Sequence, residues 1–240
     1  MHGITANAYV FEPLMALLAA RFRVVSVDQR GHGRSDKPAS GYAGSDFASD
    51  LEIFLEKEKA LLIGHSLGAR NALVAGVRFP KKVLGVVAID FTPYIEDEVF
   101  DALDARVAGG ERSFASVEEI RAYLRGRYPK LPPDAIERRA RHGYLDGKPL
   151  ASPAAMRETS ARLREDLVVI LKSVSTPVLL LRGAESKLVS PAAWAKTRAL
   201  RPDLPAVEIA EADHYVHEEQ PAAVARAVLD FWDSITRSKQ

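Results

Sequence analysis

The sequence predicts an α/β fold: a mostly parallel sheet flanked by helices, with a helical cap inserted after the strand that ends at Asp90. Three observations predict it. Ala60–Ile63 and Val83–Ile89 are short, almost wholly apolar runs, the pattern of strands buried on both faces. The first run breaks at Gly64-His65-Ser66-Leu67-Gly68 and continues as the amphipathic stretch Ala69–Phe79, so it reads as strand, sharp turn and helix. From 95 to 172 strand signals stop, and helical stretches follow one another through Gly/Pro turns. These boundaries divide the chain into a core, 1–94 with 173–240, and a cap, 95–172.

Taken in order, Asn7–Ala20 carries apolar residues at helical spacing, and Phe22–Val27 (FRVVSV) has the β-branched content of a strand. Asp28–Asp36 is a loop in which Gly31 and Gly33 suit a tight path. Its His32 and Asp28 could be a base and its partner, or hydrogen-bonded parts of a loop that ties the sheet to the rim of a site. The loop reading is preferred. A helix is expected over Asp46–Glu58. In the cap, helices are expected over Glu98–Ala108, Val117–Gly126, Pro133–His142 and Pro153–Leu163. Thr176–Arg182 returns to strand, Pro191–Leu200 is a helix that starts at a proline, Ala206–Ala210 is a last short strand, and Pro221–Ile235 closes the chain.

Composition narrows the function classes. The 240 residues are near the upper end for one domain, and 47% are hydrophobic, enough for a sizeable core. A net charge of +1 gives no overall reason to expect nucleic acid or an anionic membrane as partner. Without cysteine there is no disulfide, thiolate nucleophile or cysteine metal site. No apolar run reaches the ~18 residues of a membrane span and no signal peptide precedes the fold, so a cytoplasmic enzyme is expected.

The chemistry centres on Ser66. Glycines two residues to either side let strand and helix approach closely around a strained turn. The Oγ then stands above the strand ends, and the N–H of Leu67, at the helix N-terminus, points where an oxyanion would form. On these residues the chain resembles the α/β-hydrolase family. The resemblance implies that the His2-Gly3 pair leads into a second oxyanion donor, the N–H of Ile4. It also implies a central strand before His2 that the sequence lacks. A gap there would leave sheet backbone unpaired, so the chain is expected to begin upstream of Met1.

A serine needs a base and a group that orients it. The family order of Ser, acid, His places the base at His214, on the loop after the last strand; His217 is the lesser candidate, and His65 faces the wrong way. The usual place of the acid falls on Ser186, with Glu185 one residue out of register. Asp90, at the C-terminal end of an apolar strand, is preferred over Glu185. The mechanism this implies needs no metal and no organic cofactor.

Closer resemblance lies in Gly64–Asn71 (GHSLGARN), Ile89–Glu96 (IDFTPYIE), Gly126–Pro129 (GRYP), Glu185–Ser190 (ESKLVS) and Asp213–Val216 (DHYV). These runs look like the (E)-2-(acetamidomethylene)succinate hydrolases of bacterial vitamin B6 breakdown. That resemblance implies hydrolysis of an enamide C–N bond to acetate, ammonia, carbon dioxide and succinate semialdehyde. It places Arg106 and Arg127 over the pocket, Arg127 preferred because it is read as lying in a turn, with Tyr128 and Tyr215 as hydrogen-bond donors to a dicarboxylate. Carbon–carbon bond hydrolases of aromatic-ring breakdown, a general carboxylesterase and an inactive fragment stay open as alternatives, as does a homodimer.

Overall fold

The computed structural model describes residues 1–108, 112–165 and 167–237. A 3-10 turn, Ala8–Phe11, leads into α1 (Glu12–Leu18), so the first expected helix is shorter and split. Then come α2 (Gly44–Leu55), β1 (Ala60–His65), α3 (Leu67–Arg78) and β2 (Val83–Ile89). Four helices follow where helices were expected, within one or two residues: α4 (Asp97–Ala108), α5 (Val117–Arg127), α6 (Pro133–His142) and, after a small hairpin, α7 (Pro153–Arg162). That hairpin, β3 (Tyr144–Leu145) and β4 (Lys148–Pro149), corrects the expectation of a strandless segment. Its cause was in the sequence: Asp146-Gly147 takes positive φ at both residues, 49° and 72°, the geometry a two-residue hairpin turn requires. After α8 (Leu167–Ser173) the chain forms β5 (Val178–Gly183), α9 (Pro191–Leu200), β6 (Ala206–Ile209), α10 (Val216–Glu219) and α11 (Pro221–Arg237).

The main sheet is parallel, in the order β1-β2-β5-β6. Alternate residues of its central strands serve opposite layers. Val86, Ala88, Val178 and Leu180 pack with α2, α3 and α8, while Val87, Ile89, Leu179 and Leu181 pack with α1 and α11. Both faces are therefore apolar, which is why β2 and β5 read as continuous hydrophobic runs.

The expected strand Phe22–Val27 is not in this sheet. Its sequence favours an extended chain, but a strand is a pairing, and β1 offers it no ladder. On that side of β1 the bonds run to Met1, whose amino group donates to Ile63 O at 2.7 Å while His65 N donates to Met1 O at 3.0 Å. Val25 is accordingly left 54% exposed.

Candidate active site

The site sits where β1, β2, β5 and β6 end. Ser66 joins β1 to α3 with φ 52° and ψ −115°, a strained backbone for a residue with a side chain. The flanking glycines make this turn possible, each for its own reason. A Cβ on Gly64 would lie 2.1 Å from Gly68 O, inside the strand–helix junction. A Cβ on Gly68 would lie 2.2 Å from Met1 O, so this second glycine makes room for the N-terminal segment. That segment then crosses the serine: a Cβ on Gly3 would stand 3.4 Å from Ser66 Cβ and 2.9 Å from His65 Nδ1. Ile4 follows Gly3 and is buried. Leu67 is the first residue of α3, where helix N–H groups have no partner within the helix.

Asp90 leaves β2 with φ 49° and is fully buried. Three donors converge on its carboxylate: Gly183 N on Oδ1 at 3.0 Å, and Ser186 Oγ and His214 Nδ1 on Oδ2, each at 2.7 Å. The bond to Asp90 places the His214 proton on Nδ1 and leaves Nε2 free as a base. Ser186, the residue at the usual position of the acid, thus supports Asp90. Glu185 instead pairs with Lys130 at the surface.

The loop of His214 is pinned as well. His65 Nε2 donates to His214 O at 2.8 Å, His214 N donates to Asp213 Oδ1 at 2.8 Å, and Asp213 N donates to Glu219 Oε2 at 2.7 Å. Burial, with His214 and His217 beside it, holds the pKa of His65 far below the usual imidazole value, so it remains a neutral donor. His217 is buried behind it in α10, stacked on Phe11 at 4.5 Å, and both of its ring nitrogens lack a hydrogen-bond partner. His32 is a loop residue: its Nδ1 donates to Arg30 O, and Asp28 accepts from Ala8 N and Arg34 N.

A strained serine between two glycines, with a hydrogen-bonded Asp–His pair at strand ends of the same parallel sheet, fits one family of folds, and comparison decides the matter. Residues 1–227 match the family described as "Alpha/beta hydrolase family". This chain is an α/β-hydrolase. A 2-(acetamidomethylene)succinate hydrolase of Mesorhizobium japonicum is 53% identical over 240 residues, covering 97% of this chain and 86% of that one. The crystal structure of E-2-(acetamidomethylene)succinate hydrolase superposes with a TM-score of 0.93 at 53% identity, covering 97% of this chain and 89% of the other. The thioesterase domain from the curacin biosynthetic pathway, 23% identical with a TM-score of 0.78 over 95% and 89% of the two chains, shares the fold alone.

A cavity runs beside the N-terminal segment, walled by Thr5, Ala6 and Asn7 on one side and by Arg106, Arg127, Tyr128 and Arg139 on the other; Ser66 and His214 are not among the residues that line it. Arg106, in the last turn of α4, donates to Tyr215 OH at 3.2 Å; its Nε is buried without a partner, and among the described residues no carboxylate pairs with it. Arg127 donates to Tyr128 OH at 3.3 Å. It does not lie in a turn: α5 runs through Arg127, and Pro129 follows the Tyr128 cap. Gly126 is tolerated in that last turn, and nothing lies within 4 Å of a Cβ placed on it.

Sequence reading missed Arg139. It lies between the rings of Tyr128 and Tyr215, at 4.7 and 4.6 Å, and is bound by the buried carboxylate of Glu218. Burial disfavours its charge, and Glu218 more than restores it. Burial would raise Tyr128, but Arg139, Arg106 and Arg127 outweigh it and lower its pKa; burial prevails at Tyr215 and raises it. The signal for Arg139 was its place in the buried stripe of α6, with Ala135, Ile136 and Ala140.

No helix among the described residues is long and apolar enough to cross a membrane.

Proposed function

We propose that this enzyme hydrolyses the enamide C–N bond of (E)-2-(acetamidomethylene)succinate. The observation that carries the reading is Arg106, a guanidinium with a buried, unpartnered Nε that lines the cavity next to Thr5 and donates to Tyr215, the neighbour of His214. Tyr215 beside Arg106 raises its pKa, so it stays a cation, and a substrate carboxylate gives the unpartnered nitrogen a charge-assisted hydrogen bond. Arg127 and Tyr128 share that lining, and Tyr215 OH stands against Arg106, a set suited to a small dianion. The name of the 53% identical relative agrees with this chemistry.

In this reading His214 Nε2 takes the Ser66 proton as Oγ attacks the acetyl carbonyl. Asp90 holds the imidazole and stabilises its cation, and the N–H groups of Ile4 and Leu67 receive the oxyanion. Collapse breaks the C–N bond, and His214 returns the proton to the departing nitrogen. Water, activated by the same histidine, releases acetate from Ser66. The freed enamine tautomerises and takes up water, losing ammonia. The resulting aldehyde acid, with its carboxylate β to the carbonyl, loses carbon dioxide to give succinate semialdehyde. Residues 95–172 serve as the cap and residues 1–94 with 173–240 as the core. The reading includes a cytoplasmic location, in keeping with a chain without cysteine, and a homodimer, which light scattering on the purified protein tests.

Ammonia release from the enamide, set against turnover of p-nitrophenyl acetate, tests the function. The expected result is efficient turnover of the enamide that Ser66→Ala abolishes. An enzyme that cleaves the ester but releases no ammonia would be an esterase, and the proposal would fall.

A further inference from the structure

A chain of buried hydrogen bonds runs behind the site and ends on the peptide that carries one oxyanion donor. Arg70 Nε donates to Asn71 Oδ1 at 3.0 Å, and Asn71 Nδ2 donates to Gln29 Oε1 at 2.7 Å. Gln29 Nε2 donates to His2 O at 2.6 Å, while Gln29 N donates to His2 Nε2 at 3.0 Å. His2 Nδ1 then donates to Gly3 O at 2.8 Å. Arg70, Asn71, Gln29 and His2 are all buried.

Every direction in this chain is forced. A guanidinium can only donate and a backbone carbonyl can only accept, so the two ends fix the orientation of both amides between them. The Gln29 N–H can only donate, so His2 Nε2 is bare and its proton sits on Nδ1, facing Gly3 O. Burial keeps this imidazole neutral. The carbonyl of Gly3 belongs to the same peptide group as the N–H of Ile4. A hydrogen bond accepted at that oxygen polarises the amide and strengthens donation from its nitrogen. Together with the bond that Gly3 O accepts from Ala6 N at 3.2 Å, it fixes the plane of the peptide, and with it the direction of the N–H.

We infer that Gln29 and Asn71 are positioning residues that act through His2 to orient and polarise the Gly3–Ile4 peptide for the oxyanion. The inference rests on the proposed role of Ile4. Neither side chain reaches the reacting atoms. The far end continues toward the cap: Arg70 Nη1 donates to Arg162 O, at the end of α7, at 3.2 Å. The relay therefore ties the second oxyanion donor to α3, to the 28–36 loop and to the cap.

Asn71→Asp tests it, since it reverses one link while giving Arg70 a partner it favours. With the enamide and with p-nitrophenyl acetate, kcat should fall roughly 10- to 100-fold, a fraction of what losing a whole oxyanion donor costs, with KM and thermal midpoint little changed. Two replacements of His2 separate its nitrogens. His2→Asn keeps a donor near the Nδ1 position and should retain kcat within about threefold, whereas His2→Gln should lose as much as Asn71→Asp. These two variants decide the matter even where Asn71→Asp does not fold. Undiminished kcat in Asn71→Asp overturns the relay. So does the reverse order of the His2 pair, or losses that follow thermal midpoint equally in both. Ser66→Ala, measured alongside, keeps the levels apart: residual turnover there overturns the serine mechanism itself, while an inactive Ser66→Ala beside a fully active Asn71→Asp overturns the relay alone.

Discussion

The floor of the site and its roof are built by different means. On the floor, Ser66, Asp90 and His214 each sit at or just beyond a strand end, and backbone or short side chains hold them: Ser66 N donates to Ile89 O, Gly183 N to Asp90, and His65 to His214 O. In the roof, Arg106, Arg127, Arg139, Tyr128 and Tyr215 come from α4, α5, α6 and the loop before α10, and they hold one another through long side chains. The floor fixes Ser66, Asp90 and His214 to a rigid sheet. The roof is a set of charges balanced against each other, and in the proposed reading it governs what binds. Perturbing the floor should therefore act on kcat for every substrate, and perturbing the roof on stability and on KM for anions.

The largest expected effect is on the floor. Asp90→Asn replaces the acceptor of the His214 Nδ1 proton and favours the wrong tautomer. Its kcat should fall by about 10⁴, equally for the enamide and for a neutral nitrophenyl ester. Steady-state kinetics on the two substrates checks this; a loss confined to the enamide would erase the distinction between floor and roof.

Next is the buried pair that seats the roof. Glu218→Gln leaves Arg139 charged between two tyrosines without its counter-ion, and about 3–5 kcal/mol of stability should be lost. Adding Arg139→Met should recover most of it, because no stranded charge is then left. Urea unfolding of wild type, single and double variants measures both steps. A double variant as unstable as the single would show that the ion pair itself, and not the stranded charge, holds the roof.

The third effect lies behind the floor, where burial keeps several imidazoles neutral. Burial lowers His32 to about 4, and His2, His65 and His217 shift the same way. Below about pH 6.5 the unfolded chain takes up protons that the folded chain refuses, so stability is full above that pH and falls from there toward pH 4. For His32 alone the loss is on the order of 3 kcal/mol. Urea midpoints at pH 7.5, 6 and 5 should decline, and His32→Asn, which keeps a donor for Arg30 O, should flatten the slope. A flat profile in the wild type would mean that these rings are wetter or better paired than their burial indicates.

The same contrast explains what the sequence made legible. The positions of Ser66, Asp90 and His214 could be read because each stands at or just beyond a strand end that an apolar run announces. Even the substitution at Ser186 was legible, although its contact with Asp90 was not. Arg139 was harder. In Glu137-Arg138-Arg139-Ala140-Arg141 the arginines read together as solvated, and only the helical stripe shared with Ala135, Ile136 and Ala140 marks Arg139 apart. Glu218, its partner, is 79 residues away along the chain. Phe22–Val27 shows the opposite failure: the local preference was read correctly, but a strand exists only with a partner, and β1 bonds to Met1 on that side.

The smallest effect separates the two arginines that were expected to hold the substrate. Arg127 was preferred on the belief that it lay in a turn, but it ends α5 and already donates to Tyr128 OH. Neither has an ion pair among the described residues, but Arg106 has a buried nitrogen without a hydrogen-bond partner, so it is the one with a donor left to offer a substrate. A charge-assisted hydrogen bond to a carboxylate contributes ~1.5–3 kcal/mol, so Arg106→Ala should raise KM for the dicarboxylate roughly 10- to 100-fold. Arg127→Ala should raise it less, because Tyr128 and Arg139 remain to hold that wall. Neither should shift KM for a neutral ester by more than about twofold, since the ester offers no charge to either guanidinium. If Arg127→Ala proves the more damaging on the dicarboxylate, then the guanidinium that matters is the one at the end of α5. The unpaired nitrogen of Arg106 would then serve the packing of α4 and not the substrate.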